Sequence, residues 1–394
     1  MEDSRRHAVK AFHWFPVALA AAGAIGTIAA AAAAVVTLLV ARTVVMPPRR
    51  RPEDTRILSL DGAGDLVTLS STADSRLPGE YSLFFAEGSG HARVGDIVAQ
   101  TPDTVIRRLL GVDRGDLARA RRGRFSGWFY TGPDELGFPF EDVAIETELG
   151  PAPGWVVPAE APSSRWVIGV HGRAVRREET LRAVPVFRAA GYTSLLVSYR
   201  NDGDAPASPD GRYGLGDTEW HDVAAAIRFA LDHGATDVIL MGWSMGGATV
   251  LQTVTRSDLA GVVCGIVLDS PVIDWVTALR FQGELLGLPS PIRAGVIALL
   301  GMKWAGRLTG QHAPIDLKRL DFVRRSAELQ VPILLMHSDD DMFIPATASL
   351  ALAAARPDIV TYERFTVAGH TRLWNFDRDH WNHAIAHWLA TAPL

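Results

Sequence analysis

The segment DVILMGWSMGGATVL, Asp237 to Leu251, sets a serine between glycines where an apolar, strand-like run gives way to a small-residue, helix-like one. A hydroxyl is a weak nucleophile until a base takes its proton, and the base needs an acid to orient it. In Gly242-x-Ser244-x-Gly246 the glycines let backbone approach backbone, which lifts the serine above a sheet and turns the next N–H toward a reacting carbonyl. Gly247 permits close packing of the helix that follows. The same stretch also reads as a flexible turn with an incidental serine, and alone the motif is only moderately specific. Its partners have to decide, and the expected chain order is serine, acid, histidine. HSDDDMFIP follows a predicted strand downstream and AGHTRLW follows the last one, so His370 is the candidate base.

The elements that must position these groups emerge from about Glu141 onward. RWVIGV precedes EETLRAVPVFRAAG, TSLLVSY precedes DTEWHDVAAAIRFALDHGA, and DVILMGW precedes MGGATVLQTVTRS. GIVLDSP, PILLMHS with IPATASLALAAARP, and YERFTVAG with HWNHAIAHWLA continue the pattern. Short apolar runs separated by helical stretches predict βαβ units and an α/β class fold, a mostly parallel, doubly wound sheet. Residues 272–330 interrupt the alternation, are mainly helical in pattern, and are expected to form a cap over the carboxyl ends of the strands, where such sheets bind ligands.

Taken together these residues resemble the α/β-hydrolase superfamily, from roughly Glu141 to the end, and most closely single-domain esterases, lipases and serine peptidases. In that family the strand before the acid often ends H-G-x-x-D-x-x-V-P. His337 to Pro345 keeps the His, the last Asp and the Pro, with Ser338 for Gly and Ile344 for Val. The resemblance implies Asp341 as the acid, with Asp339, beside the same strand end, the next choice; Asp269 or Asp274, just after GIVL, is a rival reading that takes the acid from the previous strand. It also implies an oxyanion hole of two backbone N–H groups, one from Met245 and one, through VIGVHGRAVR, from Arg173. Arginine departs from the small or aromatic residue usual there, but the backbone supplies the donor. A guanidinium facing the site would favour an acidic or carbonyl-rich substrate. His171-Gly172 as a simple chain turn is the competing reading.

The rest of the chain bounds the setting. Residues 57–140 read as a small β-rich module, with hairpins in RILSLDGAGDLVTLS and EYSLFFAEGSGHARVGDIVAQ. Gly62-x-Gly64 lacks the third glycine and the helix of a dinucleotide fingerprint. The run Trp14 to Ala41 carries no charge; as a helix it would extend roughly 40 Å, enough to cross a hydrocarbon core of about 30 Å. It is too long for a signal-peptide core and has no clean cleavage site. The organisation expected is therefore a tail (1–10), a transmembrane helix (11–46), a linker (47–56), the β-rich module (57–140) and a hydrolase domain (141–394). The heavier arginine cluster after the span, Arg49 to Arg51, favours a cytoplasmic catalytic domain on a single-pass membrane protein.

Composition excludes other classes. A net charge of −5 offers no basic field for nucleic acid. Cys264, the single cysteine, cannot form an intramolecular disulfide. His380, His383 and His387 share a helix face but lack the glutamate of a zinc motif, and Asp339-Asp340-Asp341 lacks the glycine and glutamate of a calcium loop. Trp243 either lines a pocket or packs. His221, Asp222, Glu219 and Trp220 belong to a helix and its surroundings.

The expected function is a membrane-anchored serine esterase acting on a small or lipid-like acyl substrate, with no cofactor or metal required. A serine peptidase or amidase of the same fold, and a catalytically silent interaction protein, are the alternatives. Ser244→Ala would leave the last of these unimpaired.

Overall fold

The computed structural model describes residues 30–48 and 51–394. Residues 30–45 form helix α1; residues 11–29 of the expected transmembrane segment lie outside the described residues. Among the described residues no helix is long and apolar enough to cross a membrane. Ala41 and Val45 of α1 are fully buried in the main core, whereas Val35 and Leu39 are 57% and 55% exposed. The last turns of the expected span therefore pack on protein.

Next comes a closed barrel of six antiparallel strands, in the order β1-β2-β5-β4-β3-β6. They are β1 (Thr55–Leu60), β2 (Leu66–Ser70), β3 (Tyr81–Phe85), β4 (Gly90–Gln100), β5 (Thr104–Arg114) and β6 (Arg122–Ser126). Closure gives every strand two neighbours and leaves no edge open to aggregation. Ile57, Val67, Leu69, Leu83, Phe85, Val94 and Phe125 fill its interior. The β1–β2 and β3–β4 pairs coincide with the two hairpins read from the pattern, but β5 and β6 carry no clear strand signal. In β5 the alternation is inverted. Arg107 is fully buried and donates to the carbonyls of Ser75, Leu77, Gly79 and Gly95 at 2.5–3.0 Å, while Leu110 and Val112 face outward. Residues 127–140, included in the expected module, have left the barrel; Phe129 packs into the core of the next unit.

That unit is an eight-stranded sheet in the order β14-β13-β12-β11-β9-β10-β8-β7. The hairpin β7 (Glu141–Thr147) and β8 (Gly150–Val157) forms its antiparallel edge. β9 (Arg165–Val170), β10 (Thr193–Val197), β11 (Asp237–Trp243), β12 (Val263–Asp269), β13 (Ile333–Ser338) and β14 (Val360–Phe365) run parallel. Their continuous apolar runs follow from burial on both faces. Along β11, Val238 and Leu240 enter one core, while Ile239, Met241 and Trp243 enter the other. Helices α2 (Val184–Ala189), α3 (Trp220–Asp232) and α4 (Met245–Arg256) lie between the strands. The insertion after β12 carries α5 (Trp275–Leu285), α6 (Ser290–Gly301) and α7 (Gly306–Thr309). Beyond it are α8 (Thr347–Ala355), α9 (Leu373–Phe376) and α10 (Arg378–Thr391).

The insertion holds α1: Arg42 donates to Leu308 O at 2.6 Å, and a Cβ added at Gly295 would meet Thr37. The barrel docks on the segment after β14. There Arg372 grips Asp74 with two bonds of 2.7 and 2.9 Å, and the amide of Glu80 donates to Asn375 O at 3.0 Å.

Candidate active site

Ser244 occupies the corner between β11 and α4 with φ 51° and ψ −117°, a backbone conformation that non-glycine residues rarely adopt and that clusters at functional sites. The flanking glycines have a steric cause. A Cβ at Gly242 would lie 2.6 Å from Gly246 O, and one at Gly246 would collide with the carbonyl oxygens of Val170 and His171 at the end of β9.

The structure brings Ser244 together with His370 and Asp341. His370 follows β14, and its Nε2 lies 2.9 Å from Ser244 Oγ while its Nδ1 lies 2.7 Å from Asp341 Oδ2. The other oxygen of Asp341 accepts from the amides of Phe343 and Ile344 at 2.8 and 2.9 Å. His337 supports the carboxylate from below at 3.3 Å. Burial by itself would raise the Asp341 pKa, but the charge of His370 and the hydrogen bonds from His337 and His370 outweigh it and hold the carboxyl well below the usual carboxylate range.

The other acids are engaged elsewhere. Asp339 pairs with Arg364, and Asp274 caps α5 through the amides of Val276 and Thr277. Asp269 is fully buried and accepts from Trp381 Nε1 and Ser270 Oγ, both at 2.9 Å.

Met245 is the first residue of α4, where helix amides have no intrahelical acceptor. The Arg173 amide has no hydrogen-bond acceptor among the described residues. Its neighbours are fixed: Gly172 N–H donates to Glu179 Oε2 at 2.7 Å, and the Tyr199 hydroxyl donates to the carbonyls of His171 and Gly172. The His171 ring is buried, stacked 4.1 Å from Tyr199 and 3.2 Å from Asp202. The histidine thus props up the loop, and the glycine admits Ser244, whose Cβ would lie 3.2 Å from a Cβ at that position.

The Arg173 side chain is turned to the end of α1. Its guanidinium donates to Val44 O, Thr43 O and Met46 O at 3.0, 2.7 and 3.1 Å, capping the C-terminal carbonyls of α1. The sequence-based idea that this guanidinium could select an acidic substrate is corrected by that geometry. Trp243 is fully buried and packs in the core. His380 bonds Glu363 at 2.7 Å, and His383 stacks on His387. His221 stacks on Trp220, and Glu219 accepts from the amides of Gly214 and Gly216.

Ser244 and His370 open into a cavity of about 430 Å³. Its walls come from the loop after β9 (Gly172 to Val175), from Met342 and Phe343, from Gly369 to Arg372, from the barrel through Leu77, Arg124 and Phe125, and from Trp128 just after it. No residue of 272–330 lines it. The barrel supplies lining residues where the expected helical cap supplies none, although α5 of the insertion reaches the wall through Gln282, which donates to Phe343 O. Glu179, the barrel residues and Arg51 went unrecognised in the sequence because no motif surrounds them.

A family model described as the alpha/beta hydrolase family matches residues 167–387, more than half of the chain, and one described as a domain of unknown function (DUF8805) matches residues 56–126. No curated protein matches the chain. Among solved structures, an esterase of Pyrococcus furiosus, Pf2001, is 19% identical with a TM-score of 0.52, covering 67% of this chain and 95% of its own. A puromycin-hydrolyzing peptidase of Mycobacterium tuberculosis is 18% identical with a TM-score of 0.50, covering 87% of this chain and 57% of its own. At such identities the likeness is one of fold.

Proposed function

Because the chain belongs to the alpha/beta hydrolase family, we propose that it cleaves a carboxylic ester through an acyl-enzyme formed on Ser244. The observation that carries this reading is the continuous chain from Ser244 Oγ through His370 to Asp341, with separations of 2.9 and 2.7 Å. His370 Nε2 takes the hydroxyl proton as Oγ attacks the carbonyl carbon. The amides of Met245 and Arg173 receive the oxyanion of the tetrahedral intermediate. His370 then passes the proton to the departing alkoxide, and the acyl group stays on Ser244. Water, deprotonated by the same imidazole, attacks that acyl group, and the proton returns to Ser244 as the acid leaves. Asp341 holds Nδ1–H throughout, so that Nε2 keeps its lone pair toward the serine.

A fluorophosphonate probe tests this directly. The protein should be labelled at Ser244, and Ser244→Ala should take up none; an intact, folded parent that resists the probe would refute the reading. A panel of 4-nitrophenyl acyl esters against aminoacyl 4-nitroanilides should show turnover of the esters. Faster cleavage of the anilides would assign the site to amide bonds instead.

Residues 11–46 hold the enzyme at a membrane in this proposal, with a single pass and the catalytic domain on the cytoplasmic side. The charge-free run supports it, as do Val35 and Leu39, which α1 exposes to its surroundings. Since Ala41 and Val45 are buried in protein, the lipid-spanning part ends before them. The cavity would then lie near the bilayer, within reach of lipid-like esters. The full-length protein should stay in the membrane pellet after alkaline carbonate extraction; recovery in the supernatant would remove the anchor from the proposal.

A further inference from the structure

Two arginines face the cavity beside Ser244 without a partner of opposite charge among the described residues. Arg51 lies just before the barrel, and Arg124 projects from β6; both line the same cavity as Ser244 and His370. Both are half-buried. Among the described residues, neither forms an ion pair or a side-chain hydrogen bond. Each instead lies over an aromatic ring, Arg51 over Trp128 at 5.3 Å and Arg124 over Phe84 at 4.8 Å. An aromatic face orients a guanidinium and leaves its in-plane N–H donors free.

The acids around them are committed or distant. Asp74 is held by both nitrogens of Arg372, Glu179 accepts from Gly172 N–H, and Asp340 accepts from the amide of Val367 at 2.6 Å. Glu53 and Asp54 attract Arg124, and Glu178 and Glu179 attract Arg51, but none comes within ion-pair distance of it. Arg51 and Arg372 repel Arg124, and Arg176 repels Arg51. Burial, the largest cause, depresses both guanidiniums, Arg124 to about 10.

The contrast with Arg107 is informative. That guanidinium, deeper in the same barrel, finds four carbonyl acceptors. A half-buried cation without such acceptors loses part of its hydration with no partner to offset the loss. Two of them converging on a cavity that also holds a nucleophile suit an anion that arrives from outside, since planar guanidinium forks match carboxylate and phosphate geometry.

We propose that Arg51 and Arg124 form an anion-recognition site, so that the substrate is an ester carrying a second, negatively charged group, a carboxylate or phosphate, beside the scissile carbonyl. This deepens the hydrolase reading and rests on it for the reaction, but not for the binding. The barrel thereby acts as a specificity wall for the domain that carries Ser244.

The test compares matched esters: 4-nitrophenyl hydrogen glutarate against 4-nitrophenyl pentanoate for an anion on the acyl side, and 4-acetoxybenzoate against 4-acetoxybenzamide for one on the leaving group. Acetyl glycerol phosphate against glyceryl monoacetate is the phosphate arm. In at least one pair the parent should prefer the anionic member in kcat/KM, and Arg124→Gln or Arg51→Gln should reduce that preference ratio by about 10- to 100-fold, as expected for a charge-assisted hydrogen bond. The arm that responds identifies the position and type of the charge. A second readout is independent of turnover: monobutyl glutarate and 3-phosphoglyceryl butyrate should bind Ser244→Ala by calorimetry, and Arg124→Gln in that background should weaken one of them at least 10-fold. Anion binding without probe labelling would overturn the esterase reading and leave the anion site standing. Probe labelling with no preference in any pair, or with a ratio the two substitutions leave unmoved, would overturn the anion site.

Discussion

Asp341→Asn should lower kcat/KM for an activated ester by about 10⁴-fold while the protein remains folded. The two backbone amides of Phe343 and Ile344 converge on Asp341 Oδ1. An asparagine in that place keeps its carbonyl oxygen toward them and turns its NH₂ toward His370. An NH₂ cannot accept from Nδ1–H, so the imidazole moves its proton to Nε2, where it can no longer take one from Ser244. Turnover within 10-fold of the parent would show that Asp341 does not set the tautomer. His370→Ala, which removes the base itself, should cost about 10⁶-fold.

The same substitution has a signature in stability. The folded-state pKa of Asp341 is depressed, so the stabilisation from its ionised form is fully present above the ordinary carboxylate value of about 4. That stabilisation is lost as pH falls through the lower, folded-state value. Thermal melts should therefore separate parent from Asp341→Asn most widely at neutral pH and draw together in strong acid. A constant separation across that range would contradict the linkage.

Gly246→Ala should be among the most damaging single-methyl additions this chain can receive. The added carbon meets the carbonyl oxygens of Val170 and His171, which belong to main chain at the end of β9 and cannot swing aside as a side chain would. Relief requires moving either the first turn of α4 or the loop that presents the Arg173 amide. We expect a loss of about 3 kcal/mol in denaturant unfolding and at least 100-fold slower probe labelling, because both proposed oxyanion donors border the collision. Gly261→Ala provides the comparison: nothing lies within 4 Å of a Cβ there, so stability should change by no more than about 0.5 kcal/mol. Equal behaviour of the two variants would show that the tight approach at the corner is not required.

Part of this molecule is legible in single segments. The alternation of apolar runs and helical stretches after Glu141 predicts a doubly wound sheet, and the family match agrees with it. Ser244 stands out because the corner it occupies needs glycine on both sides within a few residues, a local demand that leaves a local trace. His370 and the acidic run at 339–341 stand out because both follow apolar runs. The choice among Asp339, Asp341, Asp269 and Asp274 is not local. It depends on whether Arg364, His370, Trp381 or the start of α5 lies opposite each carboxylate; from the sequence, only the resemblance of His337 to Pro345 to the family pattern points to Asp341.

The barrel shows the limit more sharply. Its first four strands alternate or turn recognisably, but β5 turns Arg107 inward and Leu110 outward. The inversion is tolerable only because carbonyls from 12 to 32 residues away surround the guanidinium. The same dependence on distant chain explains why Arg173 caps α1, and why the barrel lines the cavity where residues 272–330 do not.

What the sequence by itself determined is the set of elements and the chemistry available at their ends, since periodicity and glycine placement act over a few neighbouring residues. What only the tertiary structure decided is which side chains face one another across the cavity, including Arg51 and Arg124 beside Ser244. Burial, charge pairing and steric closure at that place are properties of packed segments far apart in the chain, and no single segment contains them.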